Sequence, residues 1–335
     1  MSVTIREVAR AAGVSQATAA RALGGYGYAS PATRRRVTEA ASHLGYRPNG
    51  VARALVSRAT HTVGLVVGDI ENPFFAAAAR GLADVLEPEG YTVLLANSDE
   101  SAQRELRAVE TLRDRRVDGM VVVPSEIASA PHLTDLVQSG VAMVQLDRAV
   151  RGLAADAVMV DNEVGARRAV EHLIGLGHTR IGIVSDRPDV SSSADRIEGY
   201  RRALRATGLP HGRELESIGG STQADGFAAA HRLLSAPDRP TAVFTANNFM
   251  TVGTLLAIRR LGLRVPADVA LVGFDDLDWT TLVEPAVTVI SQPVTALGRT
   301  AGERLLARLG GDDGRPRTIR LHTELIVRGS CGAQA

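Results

Sequence analysis

Apolar residues in the first 45 positions recur at helical spacing, whereas beyond position 60 they gather in short runs separated by helical stretches. Ile5, Val8, Ala9 and Ala12 stand at i, i+3, i+4 and i+7, which predicts a helix from Ile5 to Ala12 with Thr4 as its N-cap. Gly13 supplies a sharp turn, Val14 fills the corner, and Ser15 is placed to cap a second helix through about Leu23. A third helix over 31–44 begins with Pro31 behind Ser30 and carries Val37, Ala40, Ala41 and Leu44 on one face. The first two helices have helix-turn-helix spacing, in which the second enters the DNA major groove. Together the three predict a small all-α helix-turn-helix headpiece.

Beyond it, β-rich apolar runs at 62–67, 91–95, 119–123, 141–146, 157–160, 181–184, 241–245 and 269–273 alternate with helical stretches at 74–87, 101–115, 163–176, 194–207, 224–235 and 249–262. That alternation predicts parallel sheets covered by helices, and the run is too long for one sheet of ordinary size. The boundary falls in 45–61. Gly45 ends the third helix, Tyr46-Arg47-Pro48 forces an extended step, and Asn49 can cap a short segment from Gly50 to Ser57 that is too small to be stable alone.

Charge separates the two parts. The net charge of +1 conceals nine arginines against Glu7 and Glu39 in residues 1–60, a net of +7 there and −6 in the remainder. A basic head on a mildly acidic body is the asymmetry expected when one end meets phosphates. Arg34, Arg35 and Arg36 open the third helix, where the helix dipole favours acids; they are either a solvated run or a contact with a polyanion. All 38 basic residues are arginine, so a Walker-type phosphate loop and Schiff-base catalysis both lack their amine. The sole cysteine, Cys331, excludes an intrachain disulfide. No apolar run approaches the ~18 residues of a membrane span and no export signal precedes the first helix, so a soluble cytoplasmic protein with no membrane association is expected.

Candidate chemistry falls in two places. Gln16, Ala17, Thr18 and Arg21 lie just past the second cap, where Gln pairs with adenine, Arg with guanine, and Ala or the Thr methyl packs on thymine. In the body, Asp147, Asn247 and Asp275 follow apolar runs at the carboxyl ends of parallel strands, where ligands bind in such sheets, and Arg196 lies on the helix after another. Each has an alternative: Asp147 either caps a helix or meets ligand, one of Asp275 and Asp276 serves ligand and the other structure, and Arg196 is either a ligand donor or a solvated helix residue. Carboxylates, an amide and a guanidinium suit a polyhydroxylated solute, because sugar hydroxyls both give and accept. Gly25-x-Gly27 follows a helix rather than a strand, His172 and His178 lack metal-ligand spacing, and no nucleophile elbow is present; no cofactor, metal or catalytic residue is expected.

Thr4-Ile5-Arg6-Glu7-Val8-Ala9, Ala12-Gly13-Val14-Ser15, Gly45-Tyr46-Arg47-Pro48-Asn49 and Ala52-Arg53-Ala54-Leu55 resemble the head and hinge of the LacI/GalR family of bacterial transcription regulators. The resemblance continues through Asn72-Pro73-Phe74-Phe75, Arg116-Val117-Asp118-Gly119, Asp161-Asn162, Leu176-Gly177-His178, Gly273-Phe274-Asp275-Asp276 and Arg328-Gly329-Ser330. It implies a two-lobed, periplasmic-binding-protein-like α/β core, with a headpiece over 1–46, a hinge over 47–60 and a core over 61–330. The N-lobe would hold about 61–161 and 293–320, the C-lobe about 162–291 and 321–330, with crossings near 161, 292 and 320. The implied DNA contacts are Thr4, Ser15, Gln16, Ala17, Thr18, Arg21, Tyr28, Ser30, Thr33, Tyr46, Asn49, Ala52 and Leu55, the last wedged into a kinked central base step. The implied effector contacts are Phe74, Phe75, Asp147, Asp161, Arg196, Asn247 and Asp275, with Asp161 either touching ligand or shaping the hinge.

The family implies a repressor of a carbohydrate-utilisation operon, controlled by a sugar or sugar derivative. Its partner would be double-stranded DNA with a near-palindromic operator, read by a homodimer; the absence of a heptad tail after Arg328-Gly329-Ser330 favours a dimer over a tetramer. The chain departs from the family pattern at Ala19-Ala20, Gly24, Ser221 and Asn248, the last standing where Asp is customary. A solute-binding receptor and a sugar-modifying enzyme are the alternatives on the same two-lobed fold.

Overall fold

The computed structural model describes residues 3–24, 28–46, 59–126 and 130–333. The chain divides into two units, Met1–Thr62 with Arg116–Asp118, and Val63–Arg115 with Gly119–Ala335. The candidate residues Asn49, Ala52 and Leu55 lie outside the described residues.

In the first unit, α1 (Ile5–Ala11), α2 (Gln16–Gly24) and α3 (Pro31–His43) enclose a core of Val8, Ala9, Ala12, Ala19, Ala22, Val37 and Ala41. Small side chains let the short helices approach closely, and Val14, Leu23, Leu44 and Tyr46 pack around them. At the start of α1 the Glu7 carboxylate accepts from Thr4 N at 2.7 Å and Thr4 Oγ1 at 2.9 Å, which lowers the Glu7 pKa. Gly13 forms the corner at φ +64°, a conformation that costs a side-chain-bearing residue about 1–2 kcal/mol. The same device then opens both following helices. Ser15 Oγ accepts from Thr18 N at 3.1 Å and Ser30 Oγ from Thr33 N at 3.2 Å, and in each pair the two hydroxyls are also bonded.

The second unit holds two six-stranded sheets. The first contains β1 (Thr62–Val67), β2 (Thr92–Asn97), β3 (Gly119–Val122), β4 (Ala142–Leu146), β5 (Asp156–Val160) and β11 (Thr318–Leu321) in the order β11-β5-β4-β3-β1-β2. The second contains β6 (Ile181–Ser185), β7 (Glu216–Ile218), β8 (Ala242–Thr245), β9 (Ala270–Phe274), β10 (Thr288–Ser291) and β12 (Glu324–Ile326) in the order β12-β10-β9-β8-β6-β7. Apart from the antiparallel β10–β12 pair, the ladders within the two sheets are parallel where their register is defined. The chain therefore passes between lobes after β5, after β10 and between β11 and β12. β3, β5, β6, β8 and β9 are buried at every position, which is why they read as continuous apolar runs rather than alternating ones.

Helices α4 (Pro73–Leu86), α5 (Ala102–Asp114), α6 (Pro131–Gln138) and α12 (Val294–Leu309) belong to the first lobe; α7 (Asn162–Gly175), α8 (Ser191–Thr207), α9 (Gln223–Leu234), α10 (Asn248–Arg260) and α11 (Trp279–Leu282) belong to the second. α4 and α12 touch backbone to backbone: a Cβ on Gly81 would lie 2.0 Å from Thr295 O, and one on Gly298 would lie 1.9 Å from Ala78 O. Asp156 ties α12 to β5, its carboxylate accepting from Arg304, Arg308 and Arg317 N; burial opposes the charge, but these bonds hold the pKa below the usual carboxylate range. In the second lobe the buried Tyr200 hydroxyl donates to Ile181 O at 2.8 Å.

The structure adds elements that the apolar pattern missed. β7, β10, β11 and β12 are only three or four residues long and each includes polar residues, so they lack the unbroken apolar run that marks β3 at similar length. α8 starts at Ser191 rather than 194, because three poor helix formers, Ser191 to Ser193, make up its first turn. No helix among the described residues is long and apolar enough to cross a membrane.

Candidate functional site

On the headpiece, Gln16, Ala17 and Arg21 are exposed along one side of α2, and Arg21 Nε touches Ala17 O at 3.3 Å. Thr18 is half-buried, and its hydroxyl is bonded to Ser15. The Ser15, Ser30 and Thr33 hydroxyls serve helix caps, Thr4 serves the Glu7 pair, and Tyr46 packs on the headpiece core. Tyr28 is 85% exposed, with its ring available to a partner. Arg34, Arg35 and Arg36 are exposed and form no salt bridge among the described residues. In the body, Arg148, Arg201, Arg304, Arg308 and Arg328 pair with carboxylates, while others such as Arg107, Arg259 and Arg260 are exposed and, like Arg34 to Arg36, have no salt bridge among the described residues. The headpiece thus presents uncompensated guanidinium groups.

In the body, both lobes contribute to one cleft. Asn72, Phe74, Phe75, Asp147 and Arg148 line it from the first lobe, Asp186, Ser192, Arg196, Asn247 and Asp275 from the second, and Gln292 from a crossing segment. The open space amid these groups is about 30 Å³, room for one or two waters, so a larger solute enters only when the lobes part. Parallel strands place the carboxylates here. Asp147, Asp186 and Asp275 each follow the last residue of a strand, β4, β6 and β9.

Each group has a defined state. Asp147 is buried, with Oδ2 3.4 Å from Arg148 Nε and Oδ1 without a partner. Burial pushes its pKa up, and Arg148 and Arg196 pull the other way. Arg148 is held by Glu100 through two bonds of 2.5 and 2.9 Å. The Asp275 carboxylate accepts from Asn248 N, Asn248 Nδ2 and Gln292 Nε2 at 2.9, 3.1 and 2.5 Å. Asp186 accepts from Ser193 Oγ, while burial raises its pKa. Arg196 lies over the Phe274 ring, 3.8 Å from its centroid, and donates Nε to Asn162 Oδ1 and Nη1 to Ala246 O. Phe74 and Phe75 meet edge-on at 5.2 Å. The surface open to the cleft is almost wholly polar, made of carboxylates, amides and a guanidinium, groups that suit the hydroxyls of a polyhydroxylated solute.

Six of the seven effector candidates come together in this cleft: Phe74, Phe75, Asp147, Arg196, Asn247 and Asp275. Asn247 also caps α10, its Oδ1 accepting from Met250 N. Asp161 is the exception. It is absent from the lining, and its carboxylate accepts from Thr323 N, Thr323 Oγ1 and His322, bracing the crossings. Asp276 pairs with Arg328 and accepts from Thr280, leaving Asp275 to the cleft. Sequence reasoning missed Asn72, Arg148, Asp186, Ser192 and Gln292. Asp186 stands one residue past an apolar run, with Ser185 between, a weaker form of the signal that marked Asp147; Gln292 follows a strand, β10, that the apolar pattern did not mark.

A headpiece with a helix-turn-helix and a two-lobed binding body define a ligand-responsive DNA-binding regulator. Residues 4–49 match the lacI family of bacterial regulatory proteins, and residues 170–331 match a periplasmic binding protein-like domain. The ribose operon repressor of Escherichia coli K12 is 33% identical over 327 residues, covering 98% of this chain and 99% of that protein. A lac repressor dimer bound to operator and the anti-inducer ONPF superimposes with a TM-score of 0.88 at 26% identity, covering 99% of this chain and 100% of that one. A LacI family regulator from Enterococcus faecium with bound ribose gives a TM-score of 0.73 at 28% identity, covering 80% of this chain and 98% of that one. The chain belongs to the LacI family of bacterial transcription regulators.

Proposed function

We propose that this regulator is a homodimeric repressor whose two headpieces read the halves of a near-palindromic operator, and that a neutral monosaccharide of pentose size, held between the lobes, controls its grip. The observation that carries the effector reading is a pair of buried acceptors without partners, Asp147 Oδ1 and Gln292 Oε1, both from residues that line the cleft. A buried acceptor left unsatisfied costs about 1–3 kcal/mol, and sugar hydroxyls supply the missing donors. Ribose is the first candidate because a relative of similar length bears the name ribose operon repressor and a structural neighbour holds ribose.

Reading of bases falls to Gln16, Ala17, Thr18 and Arg21, phosphate contact to the free arginines, and minor-groove wedging to Leu55. Dimerisation is supported by the lac repressor dimer and by large apolar side chains left exposed on the body, of which Leu282 at 81% and Ile70 at 57% are the most open. The protein works in the cytoplasm and is not an enzyme, since its relatives are regulators and its cleft groups are arranged to hold hydroxyls. The test is a titration of the protein onto fragments flanking its own gene, with and without D-ribose and other monosaccharides. One fragment should bind far above random competitor, and one sugar should change that affinity by about 5- to 150-fold. Equal binding to all fragments would defeat the regulatory reading, and indifference to every monosaccharide would defeat the effector reading.

A further inference from the structure

We propose that the Asn248 carboxamide is the bridge that holds the two lobes together over the cleft, tying the Asp275 carboxylate of one lobe to Asn72 of the other. Asn248 opens α10 and is 2% exposed. Its Nδ2 carries two hydrogens and gives one to each lobe, to Asp275 Oδ2 at 3.1 Å and to Asn72 Oδ1 at 3.0 Å. Asn72 Oδ1 also accepts from Phe74 N at 3.0 Å, the bond that caps α4. One amide thus joins the N-termini of two helices in opposite lobes. Parting the lobes breaks the Nδ2–Oδ1 bond.

Away from the crossing segments, where Asp161 meets His322 and Thr323 and Gln292 meets Asp275, two further hydrogen bonds between the lobes occur among the described residues, Ser191 Oγ accepting from Ala149 N at 3.2 Å and Ser125 O accepting from Arg187 Nη2 at 3.4 Å. Each runs through a backbone group and neither reaches Asp275. The Asn248 bridge alone among the three couples a carboxylate of the effector cleft to the opposite lobe. Asparagine is required for this, because an aspartate at position 248 keeps the shape but has no hydrogen to give. It would set its own oxygens against Asp275 Oδ2 and Asn72 Oδ1. Asn248 is also one of the positions at which the chain departs from its family's usual aspartate, so the bridge is a property of this chain's own residues.

The coupling to effector rests on the pentose reading; the bridge does not. The test uses the full-length protein and Asn248→Asp, which preserves volume and places an acid at a helix start, where it is favoured. Hydrogen exchange is measured first without any sugar. The bridge predicts that the Phe74 and Phe75 amides, in the lobe opposite the substitution, exchange about 2- to 10-fold faster, the factor that loss of one neutral hydrogen bond gives. Acceleration confined to Asn248–Met250, or none, overturns the bridge whatever ribose does. D-Ribose is then titrated and its kinetics followed by stopped flow. Binding should weaken by at least the same 2- to 10-fold through faster dissociation, and in Asn72→Ala, which lacks the acceptor, Asn248→Asp should cost less than it does in the parent, keeping only its effect on Asp275. An unchanged dissociation rate, or full additivity with Asn72→Ala, overturns the coupling. Failure of the parent protein to bind ribose sinks the pentose reading and leaves the exchange result to decide the bridge.

Discussion

Asp147 and Asp275 occupy matching places in the two lobes. Each follows the last residue of the third strand from one edge of its sheet, each has a left-handed backbone, with φ of 65° and 81°, and each donates its N–H to the neighbouring strand, to Val158 O and Ile290 O. Asp tolerates this conformation better than most residues because its short polar side chain forms local hydrogen bonds. The duplicated geometry aims two carboxylates into one cleft, but their surroundings differ. Asp275 is fixed by three donors, whereas Asp147 keeps one oxygen free.

That difference separates two otherwise equivalent substitutions. Asp275→Asn sets an amide NH2 against donors from Asn248 and Gln292, so at least one buried donor loses its acceptor at a cost of about 1–3 kcal/mol. Asp147→Asn disturbs no hydrogen bond shorter than 3.4 Å, because Arg148 remains held by Glu100. Both variants should lose effector response, and only Asp275→Asn should melt earlier in the absence of sugar. Thermal unfolding beside a sugar titration checks this; equal melting of the two would show that the Asp275 donors contribute nothing to stability.

Asp147 also makes stability depend on pH. Burial raises its pKa and that of Asp186, so above the ordinary carboxylate range the native protein binds more protons than the unfolded chain. Their contribution is greatest in acid and is lost as pH rises through the raised values. Asp156, Asp161 and Asp312 are shifted down and act in the opposite sense, but they are common to parent and variant and cancel in a difference. Asp147→Asn should therefore exceed the parent in stability at about pH 8, with a margin that shrinks toward zero near pH 4. Urea unfolding at both ends of that range measures it, and a margin that grows in acid would reverse the assignment.

The headpiece and the two-lobed α/β class are legible in the residues because their signals are local: Gly13 at the corner, Ser15 and Ser30 as caps, and apolar-rich runs of four to six residues at β1, β4 and β6. The cleft is legible only in part. Asp147, Asn247 and Asp275 stand out as polar residues ending long apolar runs, whereas Gln292 and Asn72 reach the site through tertiary placement that no spacing encodes. For Asp161 the residues leave ligand contact and hinge shaping both open, and the arrival of β11 and Thr323 beside it, which no spacing encodes, gives its carboxylate a place at the crossings. Ser15 and Ser30 show the converse: a hydroxyl on a DNA-binding headpiece also serves a helix end.

The free arginines of α3 and the exposed Arg21 of α2 should respond differently to substitution. Removing Arg34, Arg35 or Arg36, none of which has a salt-bridge partner among the described residues, should weaken binding evenly across DNA sequences and flatten the log-log salt slope by about 0.9 for each phosphate no longer neutralised. Arg21→Ala should instead cost about 1–3 kcal/mol on operator alone and relax preference at one base pair. Salt titrations on operator and random duplex distinguish them. An even loss for Arg21→Ala would make it a phosphate contact.

Arg196 is the most tightly specified cation of the cleft. One face of its guanidinium stacks on Phe274, Nε reaches Asn162 Oδ1 at 2.8 Å and Nη1 reaches Ala246 O at 2.6 Å, while Nη2 makes no hydrogen bond among the described residues. A planar fork can stack, hold two acceptors in fixed directions and still present a third nitrogen to ligand; an ammonium cannot. Arg196→Lys should therefore orphan Asn162 Oδ1 or Ala246 O, costing about 1–3 kcal/mol in stability, and remove a charged donor from the effector, weakening sugar binding by about 10-fold or more. The two losses are separable, because unfolding is measured without sugar and affinity by calorimetry well below the melting range. Parental affinity in a destabilised Arg196→Lys would confine the guanidinium to bracing α8 against α7 and β8, and would leave the donors to the effector among the other lining groups, Arg148, Ser192 and the Asn247 amide.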